Sequence, residues 1–340
     1  MPSATTTRLS GSCQQITHEE YPTKDTARLT VRCNLGDPEI SPAINGHIIN
    51  NIPLVPSGLY GDMAAVAGRY IWSKLRPGEI EIGVNVCHMH VDKTFIPKWP
   101  APPSGEWFEM EAIADLSTSG SHSGTIDYHF RKVDDPKLQE FAGCTVLFES
   151  PDLWQREWSL YSHLISSQVH NLRSRAGIES SGNIRTIQRG QAYERFKTFV
   201  DYHHKYQNMR EVIMDYDFLE ATAVLDYQCD PNTDYCGPFF LDGSCHLSGW
   251  VCNESEADSK KNAYISHGWG AMKLSPEFSV EASRKRDFRT YVRMRREGKD
   301  VLGGDVYILA GVEVVGVWEG VEFKRIPRRV LNIFLPPQKK

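Results

Sequence analysis

The chain has 340 residues, 40% hydrophobic and 11% aromatic, enough to bury a substantial core in one large domain or two fused smaller ones. Its net charge of -5 carries no long block of either sign, which argues against a nucleic-acid partner. The polar start from Met1 to Gln15 has no apolar signal core, and no later stretch approaches the roughly 20 apolar residues of a spanning helix, so a soluble, cytoplasmic protein is expected.

In chain order, Leu29, Val31, Cys33 and Leu35 alternate with polar neighbours and predict a strand with one buried face. A helix is expected from Ser57 to Leu75, after Pro56. Ile80, Ile82, Val84 and Val86 are in step, after which Cys87, Met89 and Val91 carry the apolar parity, a slip that predicts a bulge. Lys98 to Gly105 and Ser117 to Thr125 read as surface loops. Helical spacing returns at Trp154 to Leu172 and around Tyr193, Phe196 and Val200, and a shorter helix is expected from about Asp242 to Asn253. Phe288, Val292 and Met294 fit a strand, and Val306 to Leu309 before Gly311 predicts a closing hairpin. The order of elements is that of one α+β unit used twice: 1–150 and 206–340, joined by a helical connector, 151–205.

Eight cysteines without a C-x-x-C pair read as reduced, mostly buried thiols; the equal spacing of Cys229/Cys236 and Cys245/Cys252 is given the same reading. The Asn253-Glu254-Ser255 sequon is taken as chance. His88-x-His90 on a strand would put two imidazoles on one face, but no third ligand sits at a persuasive spacing, so no metal is expected. His203-His204 reads as solvated or as a helix-end contact. No Gly-rich phosphate loop and no Gly-x-Ser-x-Gly elbow is present, which leaves nucleotide, flavin and serine-hydrolase chemistry without support.

Each half places one polar residue just before or at the start of a helix in apolar surroundings: His47 within Gly46-His47-Ile48-Ile49-Asn50-Asn51, and Asp242 within Phe239-Phe240-Leu241-Asp242-Gly243-Ser244-Cys245-His246. On residues alone, a helix N-cap is the simpler reading of Asp242 and a packed core residue the simpler reading of His47. His246, four residues after Asp242, would share its helix face and either contact the pocket or simply pack.

Taken together in order, the motifs resemble the product-template domain of fungal non-reducing polyketide synthases, a relative of dehydratases. The resemblance runs from Gly46-His47 through Asn50, Pro56 and Leu59-Tyr60-Gly61-Asp62-Met63. It continues at Val86-Cys87-His88-Met89, Ala192-Tyr193-Glu194-Arg195-Phe196, Val200-Asp201-Tyr202 and Leu241-Asp242-Gly243-Ser244-Cys245-His246, and later at His267-Gly268-Trp269 and Ile326-Pro327-Arg328-Arg329. Asn51 and Asn208 depart from it, standing where the family usually has glycine.

The resemblance implies a double hotdog, two long helices each wrapped by an antiparallel sheet. It implies His47 as general base and Asp242 as the group that orients its imidazole, with Asn51, Pro56, Tyr60, Cys245, His246 and Trp250 as pocket candidates. It further implies regioselective aldol cyclisation, dehydration and aromatisation of a poly-β-ketone carried on the phosphopantetheine arm of an acyl carrier protein, with no other cofactor. Partners would be that carrier and neighbouring synthase domains, and the domain would be a homodimer. A dehydratase of β-hydroxyacyl chains, a free-standing cyclase and a non-catalytic docking module are the competing readings. Met1 just before the family's usual beginning fits both an excised domain and a complete small protein.

Overall fold

The computed structural model describes residues 7–79, 82–98, 102, 105–117, 124–133, 137, 139–177, 183–254 and 260–337. The first half runs β1 (Gln15–Glu20), β2 (Thr26–Asn34), α1 (Ser41–Asn45), β3 (His47–Ile49), β4 (Ile52–Pro53), α2 (Ser57–Leu75), β5 (Gly83–Val91), β6 (Trp107–Asp115), β7 (Thr125–Lys132) and β8 (Glu140–Glu149). The linking stretch gives α3 (Pro151–Ser159), α4 (Ser162–Ala176), β9 (Ile184–Gln188), α5 (Arg189–Phe196) and β10 (Asp201–Tyr202). The second half follows with β11 (Met209–Asp215), β12 (Glu220–Leu225), α6 (Gly237–Asn253), β13 (Asn262–Leu274), β14 (Phe288–Arg293), β15 (Arg295–Arg296), β16 (Val301–Ala310), β17 (Glu313–Pro327) and α7 (Arg328–Phe334).

The large strands form one sheet in the order β1-β2-β6-β7-β8-β5-β13-β17-β16-β14-β12-β11-β9, antiparallel at every ladder. The first six strands wrap α2 and the rest wrap α6, and the halves join where β5 pairs with β13, Trp269 opposite Met89. Two hotdog units side by side are therefore the observed architecture. Alternation explains the wrapping: in β2, Ala27, Leu29, Val31 and Cys33 are buried while the residues between them are not. Small residues do the same for α2, since Gly58, Gly61, Ala64, Ala67 and Gly68 are all buried against the sheet and α6.

The expected bulge lies between Cys87 and His90, where His88 takes φ +53°. Ile80, expected to open that strand, falls outside the described residues, as does most of the two expected loops at 98–105 and 117–125.

Three expectations are corrected. The Trp154 to Leu172 helix is broken at Leu160–Tyr161, where Ser162 Oγ turns back to donate to Trp158 O at 2.8 Å. Trp154 and Trp158 pack on the second half of the large sheet, at β14, β16 and β17, whereas Leu160 is 75% exposed, so a single straight helix could not serve both stretches. The connector is also not purely helical: β9 is the edge strand beside β11, and β10 pairs with β3. Finally, Cys229 and Cys236 form a disulfide, because the turn at Asp230 to Asp234 folds the chain back and leaves their Cα atoms 5.8 Å apart. The other six cysteines are free, and five of them are buried.

Candidate active site

His47 opens β3, directly after α1. Its strand is short because Asn50 and Asn51 turn it back into β4, with φ +54° and +64° and Ile49 opposite Ile52. Two consecutive positive φ values define the turn best suited to a two-residue hairpin, and asparagine tolerates the left-handed region better than most side chains. Asn51 can therefore occupy a position for which glycine is the usual choice. The hairpin is fastened to the C-terminal helix by Asn50, whose Nδ2 donates to Leu335 O at 2.7 Å and Asn332 Oδ1 at 2.9 Å.

Asp242 is presented differently from the sequence expectation. Pro238 sits in the first turn of α6, where a missing N–H costs nothing, so the helix begins at Gly237 and Asp242 lies in its second turn. It is not an N-cap. The helix spacing instead brings His246 onto Asp242, with His246 Nε2 donating to Asp242 Oδ2 at 2.6 Å. His246 Nδ1 lies 3.3 Å from the Tyr193 hydroxyl, which itself donates to Tyr206 O at 3.1 Å. α6 can approach the start of α2 because residue 58 is glycine: a Cβ there would lie 3.1 Å from Asp242 N.

His47, Asp242 and His246 all line one cavity between the halves, about 1030 Å3 of empty space counted with its open mouth. The walls include Leu54, Phe196, Phe199, Val200, Trp269 and Phe323, so the polar groups stand in mainly apolar surroundings. Burial lowers the His47 pKa below its ordinary 6.5; Asp242 pulls it back up and His246 pushes it further down. Burial would raise the Asp242 carboxyl, but the charge of His246, its hydrogen bond and the charge of His47 together hold it below the usual carboxylate value. At neutral pH the site thus offers an uncharged imidazole and a carboxylate.

The hydrogen bonding of this pair departs from expectation. Asp242 is bonded to His246, while His47 Nδ1 is buried without a hydrogen-bond partner among the described residues. The His47 ring is held by edge contacts to Tyr202 and Tyr206, at 5.4 and 6.2 Å between centroids. Asp242 influences it as a nearby charge rather than as a bonded orienting group.

Of the pocket candidates, Pro56, Tyr60, Cys245 and His246 line the cavity. Tyr60 does so only in part, since its ring packs among Phe108, Phe130 and Phe141 inside the first half. Asn51 and Trp250 do not line it. Asn51 is exposed at the hairpin tip, and Trp250 is 1% exposed on another face of α6, donating to Ala192 O. Asn208 bridges buried backbone, its Nδ2 donating to Phe239 O and its Oδ1 accepting from Gln228 N, both at 3.3 Å.

His88 and His90 are exposed on β5, and Glu140 binds His129 at 2.9 Å with His90 at 3.9 Å from its other oxygen. Sequence reasoning missed Tyr202, Phe199 and Phe323 as wall residues. Nothing in their local pattern marks them, because Phe199 and Tyr202 come from the segment running from α5 into β10, and Phe323 comes from β17, far away in the chain.

These features define a dehydratase-type double-hotdog domain, and solved structures share the fold. The dehydratase domain of the CurJ module of curacin polyketide synthase aligns with TM-score 0.65 at 9% identity over 96% of this chain and 99% of that one. The PpsC dehydratase domain of Mycobacterium tuberculosis, solved with C12:1-CoA, gives TM-score 0.64 at 11% identity over 94% and 100%. The CurK dehydratase, solved as inactive Asp-to-Asn and His-to-Phe mutants, gives 0.62 and 0.61 at 14% identity, over 95% of this chain and 99% and 98% of those chains.

No family model matches the chain. Among curated proteins it is 43% identical over 337 residues to non-reducing polyketide synthase PKS1 of Zymoseptoria tritici, covering 98% of this chain and 15% of that protein. It is 39% identical to Preu8 of Preussia isomera, another non-reducing polyketide synthase, over 96% and 15%. The chain belongs to the non-reducing polyketide synthases as a single dehydratase-like domain of them and fits their product-template domain. It spans about one seventh of the length of these relatives.

Proposed function

We propose that this domain is the product-template cyclase and aromatase of a polyketide synthase, closing the rings of a poly-β-ketone by aldol addition, dehydration and aromatisation. One observation carries the reading: a neutral imidazole from the first half and a carboxylate from the second face the same apolar cavity.

A methylene between two carbonyls is already acidic, so neutral His47 suffices to take its proton. The enolate carbon attacks a second carbonyl, and protonated His47 returns the proton to the new alkoxide. Asp242, fixed by His246, stabilises the transient imidazolium through space and assists loss of water. Acid–base help contributes about 10²–10⁴-fold. Holding two reactive positions together can reach effective molarities of about 10⁵–10⁸ M, so the shape of the cavity governs which ring forms. The substrate arrives on the phosphopantetheine arm of an acyl carrier protein, no resident cofactor takes part, and the domain acts in the cytoplasm as a homodimer beside its neighbouring synthase domains; all of this belongs to the proposal.

With a carrier-bound poly-β-ketone, His47→Ala should lower the template product at least about 10²-fold while spontaneous pyrones accumulate. Unchanged product ratios would overturn the reading. Because burial depresses the His47 pKa, the acid limb of the rate profile should fall below pH 6.5, with activity lost as the imidazole protonates. A limb at or above that value would remove His47 as base. The dehydratase relatives favour a second reading, water loss from a β-hydroxyacyl chain; among the CurK variants both the His-to-Phe and the Asp-to-Asn changes are inactive. Formation of an enoyl product from a β-hydroxyacyl carrier, without cyclisation of the poly-β-ketone, would select it.

A further inference from the structure

The mechanism above leaves unused the one tyrosine of the cavity wall whose ring touches both His47 and His246. Tyr202 on β10 pairs with His47 on β3, and its ring stands between two imidazoles, 5.4 Å from His47 and 4.4 Å from His246 between centroids. Phe196, at 5.1 Å, and Tyr206, at 5.5 Å, hold the ring in place. The Tyr202 backbone oxygen accepts from Gln207, but its hydroxyl has no hydrogen-bond partner among the described residues, although the residue lines the cavity.

The polar groups that α6 presents to the same wall are already engaged. Asp242 is bonded to His246, Cys245 Sγ lies 3.3 Å from Ser248 Oγ, and the Asn253 amide donates to Gly249 O and Tyr264 O. Burial and the nearby Asp242 carboxylate push the Tyr202 phenol well above its ordinary pKa, so it remains protonated and can donate.

Enolisation needs such a donor. As the C–H bond breaks, its electron pair becomes the new C=C bond, the carbonyl π pair moves to oxygen and the proton goes to His47. Negative charge therefore develops on an oxygen in a poorly hydrated cavity, where a preplaced donor is worth far more than in water.

We infer, resting on the cyclase reading, that Tyr202 is a further catalytic residue: its hydroxyl donates a hydrogen bond to the substrate carbonyl oxygen that becomes the enolate when His47 takes the proton. No proton leaves the phenol, and no further reactant is required. The ring has a second effect, since its contact with His47 fixes an imidazole whose buried Nδ1 makes no hydrogen bond among the described residues.

The test compares Tyr202→Phe, Tyr202→Leu and His47→Ala in the intact domain, with two readouts. One is single-turnover cyclisation of a carrier-bound poly-β-ketone. The other is uptake of deuterium at the flanked methylene of a short β-diketone thioester, which reports enolisation alone. Tyr202→Phe keeps the ring and should slow both about 10²-fold, with KM nearly unchanged and the same ring register. Tyr202→Leu should in addition release shunt products, because His47 loses its support. Wild-type rates in Tyr202→Phe, with both readouts abolished in His47→Ala, would overturn the role of Tyr202 and leave the cyclase reading standing. Wild-type rates in His47→Ala would remove both. A thermal melt matching the wild type shows that Tyr202→Phe is folded.

Discussion

Asp62 and Asp242 are each the sixth residue of a hotdog helix, yet only one faces the cavity. Each is abutted by a glycine of the opposite helix. A Cβ on Gly58 would lie 3.2 Å from Asp242 Cβ, and one on Gly237 would lie 2.4 Å from Asp62 Oδ1. The difference lies in what reaches the carboxylate next. One turn after Asp242 comes His246, which binds it, whereas one turn after Asp62 comes Val66. Asp62 instead accepts from the hydroxyls of Ser12, at 2.6 Å, and Tyr235, which close over it. Burial raises the Asp62 pKa despite those hydrogen bonds and the charge of Arg69, while Asp242 is held low. Equivalent backbone positions thus yield a sealed structural carboxyl in one unit and an ionised cavity carboxylate in the other. An imidazole partner favours the charged form more strongly than hydroxyl donors do.

The comparison breaks most directly through paired substitutions. Asp242→Asn should cost about 10²-fold in template product, and Asp62→Asn should leave the product profile intact, as measured with a carrier-bound substrate. Equal loss from both would mean that the two carboxylates are not functionally distinct.

The Cys229–Cys236 disulfide closes the loop that delivers Tyr235 to Asp62 and leads into α6. Its removal by Cys229→Ser with Cys236→Ser should destabilise the domain by about 2–3 kcal/mol in chemical denaturation, as expected for so short a loop. Thiol titration of the denatured, unreduced wild type should find six free thiols, and eight would refute the bond.

The smallest effect concerns Asp62 and pH. Its folded pKa lies above the unfolded value near 3.8, so its contribution to stability is fully present below that value and lost as pH rises through the raised one. The melting temperature of the wild type minus that of Asp62→Asn should therefore be largest in acid and shrink toward neutral pH. A difference that grows with pH would reverse the assignment.

Much of this was legible in sequence wherever a local rule sufficed. The period-two pattern of β2, the parity slip at His88, the extent of α2 and the closing hairpin at Gly311 each depend on a few neighbouring residues. The start of α6 was misplaced because Asp242 is a good N-cap, and the signal of Pro238, further upstream, outweighed it in the fold. The disulfide escaped notice because spacing alone does not tell whether a turn brings two sulfurs together.

The sequence by itself determined the repeated α+β order, the candidate imidazole and carboxylate, and, through helix spacing, that His246 shares a face with Asp242. Only the tertiary structure decided that Asp242 bonds His246 and not His47, that Tyr202 stands between the two rings, and that Asn51 and Trp250 lie off the cavity. The reason is physical: periodicity fixes which side of an element a residue occupies, whereas contacts between β10, β3 and α6 depend on how separate elements are packed.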